Sequence, residues 1–196
     1  NMTLPVSAVL LAAGSSRRMG RPKQLLPLNG KSAIRHCLDG IIAAGVRDVV
    51  VVLGMNGGEA AAALAGLMVK VACNGNAESE MAESFRIGLR EIDPSASGVL
   101  VCLADHPLVS TETIGTLISI HAKNPHTIVV PRCCGRRGHP TLFPAAIARE
   151  VFSGLTLRDV LAKHADRISA VDVEDEGVVL DMDTKEDYEL MQRRFD

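Results

Sequence analysis

Tryptophan is absent from this chain, tyrosine occurs once and phenylalanine four times, so aromatics make up 3% of 196 residues. Few rings leave few platforms for base stacking, which argues against a binder of single-stranded nucleic acid. Net charge is nearly absent too: −2 at pH 7, from 21 Lys and Arg against 23 Asp and Glu. No basic footprint is spread over the protein, so no nucleic-acid partner is expected. Long apolar runs are missing; none approaches the ~18 residues of a membrane-crossing helix, and no charged-then-apolar leader opens the chain. The expected location is the cytoplasm, with no membrane partner. The five cysteines (Cys37, Cys73, Cys102, Cys133, Cys134) include no C-x-x-C pair, so neither a zinc ribbon nor a thioredoxin-type site is supported. Both common phosphate signatures are lacking as well: there is no G-x-G-x-x-G, and no glycine-rich loop ends in Gly-Lys-Ser/Thr. Repeats, low-complexity tracts and linkers are also missing, and the chain predicts one domain over residues 2–196.

What is present begins with residues 6–13, a short aliphatic run that reads as a buried strand. Gly14, Ser15 and Ser16 break it, and Arg17, Arg18, Arg21 and Lys23 follow. Small residues let backbone N–H groups approach an anion while cations neutralise its charge. The stretch therefore reads as a polyphosphate cradle, with a solvated basic loop as the alternative.

Downstream, apolar spacing predicts helices over residues 31–44, 57–67, 79–92 and 110–121. Gly45 stops the first of these, and Ser110 is a natural N-cap for the last. Met81, Phe85, Gly88, Leu89 and Ile92 share one face of the third. Strands are predicted over residues 48–53, 68–73, 99–104, 127–130, 168–173 and 178–180. Residues 132–140 read as a loop, residues 144–152 and 156–163 as short helices, and 184–193 as the last helix. Strands alternating with helices imply an α/β architecture, a mostly parallel sheet covered on both faces. Ligands on such sheets bind outside the carboxyl ends of the strands.

Two acidic positions stand out. Asp105 follows a buried run directly, where a carboxylate is suited to hold Mg²⁺ against phosphates; the alternative is a turn cap. Asp183 lies in D-M-D-T-K-E-D-Y. Asp183 or Thr184 opens a helix with Glu186 or Asp187 three positions on, a capping-box pattern that needs no metal.

The stretch L-A-A-G-S-S-R-R-M-G-R-P-K resembles the signature of the MobA-like nucleotidyltransferases, and most closely that of the molybdenum cofactor cytidylyltransferases. Asp105-His106-Pro107 is similar to the family's Asp-x-Pro metal motif. Gly138-His139-Pro140 matches its Gly-His-Pro element, and residues 181–188 resemble its Asp-x-Asp-Thr-Pro-Glu-Asp element. Of the family's Gly-Met-x-x-Ser-Leu-Arg, the chain keeps Met81, Ser84 and Arg86 but carries Glu80 for glycine. Of a Gly-Asp-x-Gly-Ala-Arg type loop it keeps Gly154 and Arg158.

The resemblance implies a three-layer Rossmann-like nucleotidyltransferase fold and transfer of CMP from CTP to the phosphate of molybdopterin, releasing pyrophosphate. It implies that Lys23 and Arg18 act on the phosphates and that Leu11, Ala12, Ala13, Gly14 and Ser84 bind the nucleotide. Asp105 and Asp183 would hold Mg²⁺, and His139 and Arg158 would face the acceptor. Within the family Ala-Ala-Gly goes with CTP where Ala-Gly-Gly goes with GTP, so Ala13 favours CTP. A molybdenum hydroxylase apoenzyme is the implied protein partner. Sugar- or alcohol-phosphate transfer and a non-catalytic cofactor carrier remain alternatives, and an NAD-dependent oxidoreductase is disfavoured by the missing dinucleotide fingerprint.

Overall fold

The computed structural model describes residues 4–14, 22–78 and 80–196. Its centre is β1 (Val6–Ala12), with every residue from Ser7 to Ala12 buried. Alternate side chains of β1 point to opposite faces: Ala8, Leu10 and Ala12 join one apolar cluster, Val9 and Leu11 the other. A short 3₁₀ turn over Lys23–Leu25 leads to the hairpin of β2 (Pro27–Leu28) and β3 (Lys31–Ser32), then to α1 (Ala33–Ala43), which Gly45 ends at φ 94°. There follow β4 (Asp48–Leu53), α2 (Gly58–Ala63), β5 (Lys70–Cys73), α3 (Met81–Leu89), β6 (Gly98–Leu103) and α4 (Thr111–Lys123). Ser110 caps α4, accepting from Thr113 N at 3.1 Å.

The second half departs more from the sequence expectations. β7 (Ile128–Cys133) runs into residues read as a loop and turns back through Cys134 and Gly135, both at positive φ, into β8 (Arg136–Arg137). β9 (Thr141–Pro144) is a further strand, and only then come α5 (Ala145–Ala148) and α6 (Leu157–Lys163). β10 (Ile168–Asp172) matches its expectation. The strand expected at residues 178–180 is not formed; a 3₁₀ turn, Glu176–Val178, stands there, capped by Asp175 Oδ1, which accepts from Gly177 N at 3.0 Å, with Gly177 close against the Leu108 carbonyl. A Cβ on Gly177 would lie 2.2 Å from that oxygen. The last helix is α7 (Lys185–Gln192).

Eight strands form the main sheet in the order β10-β7-β9-β6-β1-β4-β5, with β8 on β7. β6, β1, β4 and β5 are mutually parallel, as are β7 and β10, whereas β9 runs against both of its neighbours. Residues of α1, α2 and α4 pack on one face and those of α3, α5 and α6 on the other, giving three layers. Gly88 lets α3 approach closely: a Cβ there would meet Val9 Cγ1 at 2.6 Å. A third, small cluster joins Met182 and Met191, at the α7 end of the chain, to Leu26, Leu28 and Ala33 around the hairpin. The expected α/β class and fold are the observed ones. Among the described residues no helix is long and apolar enough to cross a membrane.

Candidate active site

From β1 the chain moves outward to β4 and β5, then returns to β6 on the other side of β1. Such a reversal opens a crevice at the carboxyl ends of the central strands. Two adjoining lobes occupy it. One, about 220 Å³, is lined by Leu11 to Gly14, Lys23, Gln24, Asn76, Met81, Ser84 and Asp105, among others. The second, about 270 Å³, shares Ala12, Ala13, Gly14, Gln24 and Asn76 and adds Asn56 and Asn74.

Acid and base meet in the first lobe. Lys23 Nζ lies 3.5 Å from Asp105 Oδ2 and 3.7 Å from Asp183 Oδ1, so residues far apart in sequence converge on one ammonium. Asp105 reaches this point because β6 ends beneath it; its carbonyl accepts from Met182 N at 2.7 Å. Burial pushes the Asp105 carboxyl up, but the hydrogen bond from His106 and the nearby charges outweigh it and hold the group below its ordinary value. Two carboxylates are hard oxygen donors of the kind that Mg²⁺ and Mn²⁺ take together with substrate phosphates, and both already gather around a cation. The donor set therefore fits a divalent metal. Among the described residues no group of three or more His, Cys, Asp or Glu side chains is arranged around one metal position.

Asp183 does not cap α7. Thr184 does, accepting from Asp187 N at 3.1 Å, while Asp187 Oδ2 accepts from the Thr184 and Asp183 backbone N–H groups at 2.9 and 3.1 Å. The capping box thus belongs to Thr184 and Asp187, and the Asp183 side chain faces Lys23.

Among the described residues no heavy atom lies within 4 Å of where a Cβ on Gly14 would sit. Ser84 is buried, and its Oγ accepts from Asn74 Nδ2 at 2.9 Å. Asn74 Oδ1 in turn accepts from Asn76 N at 3.0 Å, setting Asn76 between the lobes. Sequence reasoning missed Gln24, Asn74 and Asn76, which carry no motif. Met81, which the sequence sets on one helix face with Phe85 and Leu89 and keeps as a motif residue, is 53% exposed and lines the first lobe. Arg86 is a fold residue, donating to the Val151 and Leu155 carbonyls at 2.7 and 3.2 Å. Glu80 is exposed at the N-cap of α3.

His139 and Arg158 are not brought to these lobes. His139 packs behind Asp105 against His106; burial and the neighbouring His106 push its imidazole down to about 4, so it is neutral at pH 7. Arg158 is exposed on α6. Burial pushes the Cys37 thiol beneath the site up to about 12, far from a reactive thiolate. Arg18, with Ser15, Ser16, Arg17 and Arg21, lies outside the described residues.

Residues 8–168 match the MobA-like NTP transferase domain family. The nicotine blue oxidoreductase of Paenarthrobacter nicotinovorans is 33% identical over 95% of this chain and 96% of its own length. A nucleotidyl transferase from Methanothermobacter superposes with a TM-score of 0.83 at 25% identity, covering 97% of each chain. Rv0371c of Mycobacterium tuberculosis, solved with manganese, gives 0.79 at 29% identity over 98% of this chain and 100% of that one. Bifunctional GlmU proteins also match, this chain spanning about a quarter of their length.

Proposed function

The chain belongs to the MobA-like NTP transferase family, and from that premise we propose that it transfers CMP from CTP to the phosphate of molybdopterin, releasing pyrophosphate with Mg²⁺ bound. The observation that carries this reading is the convergence of Lys23, Asp105 and Asp183 beside Ala12-Ala13-Gly14 at the reversal point of the sheet. An acceptor phosphate is already anionic, so no Ser-His or Cys-His nucleophile is needed, and alignment with charge stabilisation suffices. Lys23 neutralises charge developing at the α-phosphate, and Arg18 holds the leaving phosphates through its guanidinium fork. Asp105 and Asp183 would hold the metal, which would supply positive charge against the phosphates. Backbone groups of Leu11 to Gly14 read the base, with Ser84 acting nearby through Asn74. A molybdenum hydroxylase apoenzyme is the proposed recipient of the product.

Thermal shift with CTP, GTP and NAD(P)H, each with and without Mg²⁺, tests the nucleotide, because a ligand that binds the native state raises its melting temperature. CTP with Mg²⁺ gives the largest shift; an equal or larger shift with GTP sinks the cytidylyl assignment. Incorporation of labelled CMP into molybdopterin then tests the acceptor, against sugar and alcohol phosphates as competitors.

A second reading, an oxidoreductase, is favoured by one observation: 33% identity over 95% of this chain to the nicotine blue oxidoreductase of Paenarthrobacter nicotinovorans. The missing G-x-G-x-x-G and the paired carboxylates around Lys23 weigh against it. NAD(P)H stabilising the protein more than CTP would replace the transferase reading with this one.

A further inference from the structure

The two oxygens of Asp105 meet different neighbours. Oδ1 accepts from His106 Nδ1 at 2.8 Å, while Oδ2 looks toward Lys23 at 3.5 Å. A carboxylate held through one oxygen presents the other in a fixed direction, and partners of this kind behind a metal ligand govern its affinity.

His106 is itself held. Its side chain is 10% exposed, and the His139 ring meets it edge to face, centroids 4.9 Å apart at 65°. His139 in turn donates its backbone N–H to Val178 O at 2.8 Å. That approach demands glycine before it, since a Cβ on Gly138 would fall 2.1 Å from the same oxygen. His139 Nδ1 is buried with no hydrogen-bond partner among the described residues, so this atom is shut away from any substrate. The two rings border a cavity of about 20 Å³ with Cys37, Ile41 and Cys102, far too small to admit a pterin.

We propose that His106 and His139 are positioning residues: His106 fixes Asp105 through Oδ1 so that Oδ2 faces the cation, and His139 fixes His106. The Gly-His-Pro stretch then serves the metal side of the site and not the acceptor. This rests on the reading of Asp105 as a metal ligand, and the experiment separates the two.

Mn²⁺ binding to the full chain, with CTP present, is followed by electron paramagnetic resonance for wild type, Asp105→Asn, His106→Leu, His106→Asn, His139→Ala and His139→Phe, beside a melting curve for each. His106→Leu weakens Mn²⁺ about tenfold. His106→Asn, which keeps an N–H donor near the place of Nδ1, stays close to wild type. His139→Ala weakens Mn²⁺ severalfold, whereas His139→Phe, which keeps a ring against His106, does not. If Asp105→Asn binds Mn²⁺ like wild type, the metal reading falls and the proposal with it. If Asp105→Asn loses Mn²⁺ but His106→Leu does not, the metal reading stands and the proposal alone is overturned. Equal weakening by His106→Asn and His106→Leu overturns it too. Should His106→Leu not fold, His106→Gln, whose amide lies one bond further out, carries the same comparison.

Discussion

Asp48 and Asp105 stand at opposite ends of the two strands that flank β1, the first opening β4 and the second just past β6, and they are held in different ways. At the amino end of β4, Asp48 Oδ2 accepts from Ser7 Oγ and from Asp93 N, both at 2.6 Å, while Oδ1 lies 2.9 Å from Lys70 Nζ. Beyond the carboxyl end of β6, Asp105 commits Oδ1 to His106 and turns Oδ2 toward Lys23 at the longer distance of 3.5 Å. Both carboxyls are pushed up by burial and brought below their ordinary value by their partners. What separates them is saturation. Asp48 is tied on both oxygens to its own fold, whereas Asp105 keeps one oxygen toward a crevice. Charge and burial alone would not tell the carboxylate tied into the fold from the one proposed to hold the metal.

The largest expected effect breaks that contrast if it fails. Asp105→Asn and Lys23→Ala each lower CTP-dependent pyrophosphate release by about 10²- to 10³-fold, while Asp48→Asn stays within a few-fold of wild type. A comparable loss in Asp48→Asn would erase the distinction.

A pH series isolates the aspartates from the histidines. Both aspartates have depressed folded values, so their stabilisation is present above the ordinary carboxylate value of about 3.9 and fades as pH falls through the folded one. Between pH 7 and 4.5 the change must therefore come from groups buried neutral. His121 is fully buried and its imidazole is lowered by that burial; His139 lies near 4. The unfolded chain takes up those protons first, so stability falls as pH falls, by about 2 kcal/mol from His139 alone over this range. Urea unfolding at pH 7 and pH 4.5 should show that drop reduced in His139→Phe.

Smaller still, Asp48→Ala costs about 2 kcal/mol in stability, because Ser7 Oγ and Asp93 N lose a charged acceptor. Denaturant melts measure it, and activity per folded molecule should not change. Last, Thr184→Ala costs about 1 kcal/mol as a lost helix cap. Asp183→Asn leaves stability nearly as it was but raises the Mg²⁺ needed for half-maximal rate. Wild-type Mg²⁺ dependence in Asp183→Asn would remove it from the metal site.

The sequence made the central strands legible because β1, β4 and β6 are short aliphatic runs ended by glycine or polar residues. The Ser110 cap was legible for the same local reason. β8 was not, since Arg132 to Pro140 is dense in the residues of loops, and the four residues of β9 were not, since their pairing depends on β6 far back along the chain. Lys23, Asp105 and Asp183 were marked by motif, but their convergence is a property of strand order. Sequence left the α7 cap open between Asp183 and Thr184, and only geometry separates them. Gln24, Asn74 and Asn76 were invisible because a carboxamide becomes a site residue only through topology.

The small cluster under α7 has a kinetic consequence. Its buried members among the described residues are Leu26, Leu28, Ala33, Met182 and Met191, yet it seats both the segment after Lys23 and the segment around Asp183. A patch of that size opens at lower free energy than a sheet buried on both faces. On heating, catalysis is therefore expected to fail several degrees before the sheet melts, and to return on cooling as α7 redocks. Heat tolerance of the activity would then be set by the grip of two methionines, and stiffening that one seam should lengthen working life at high temperature more than any repair to the core.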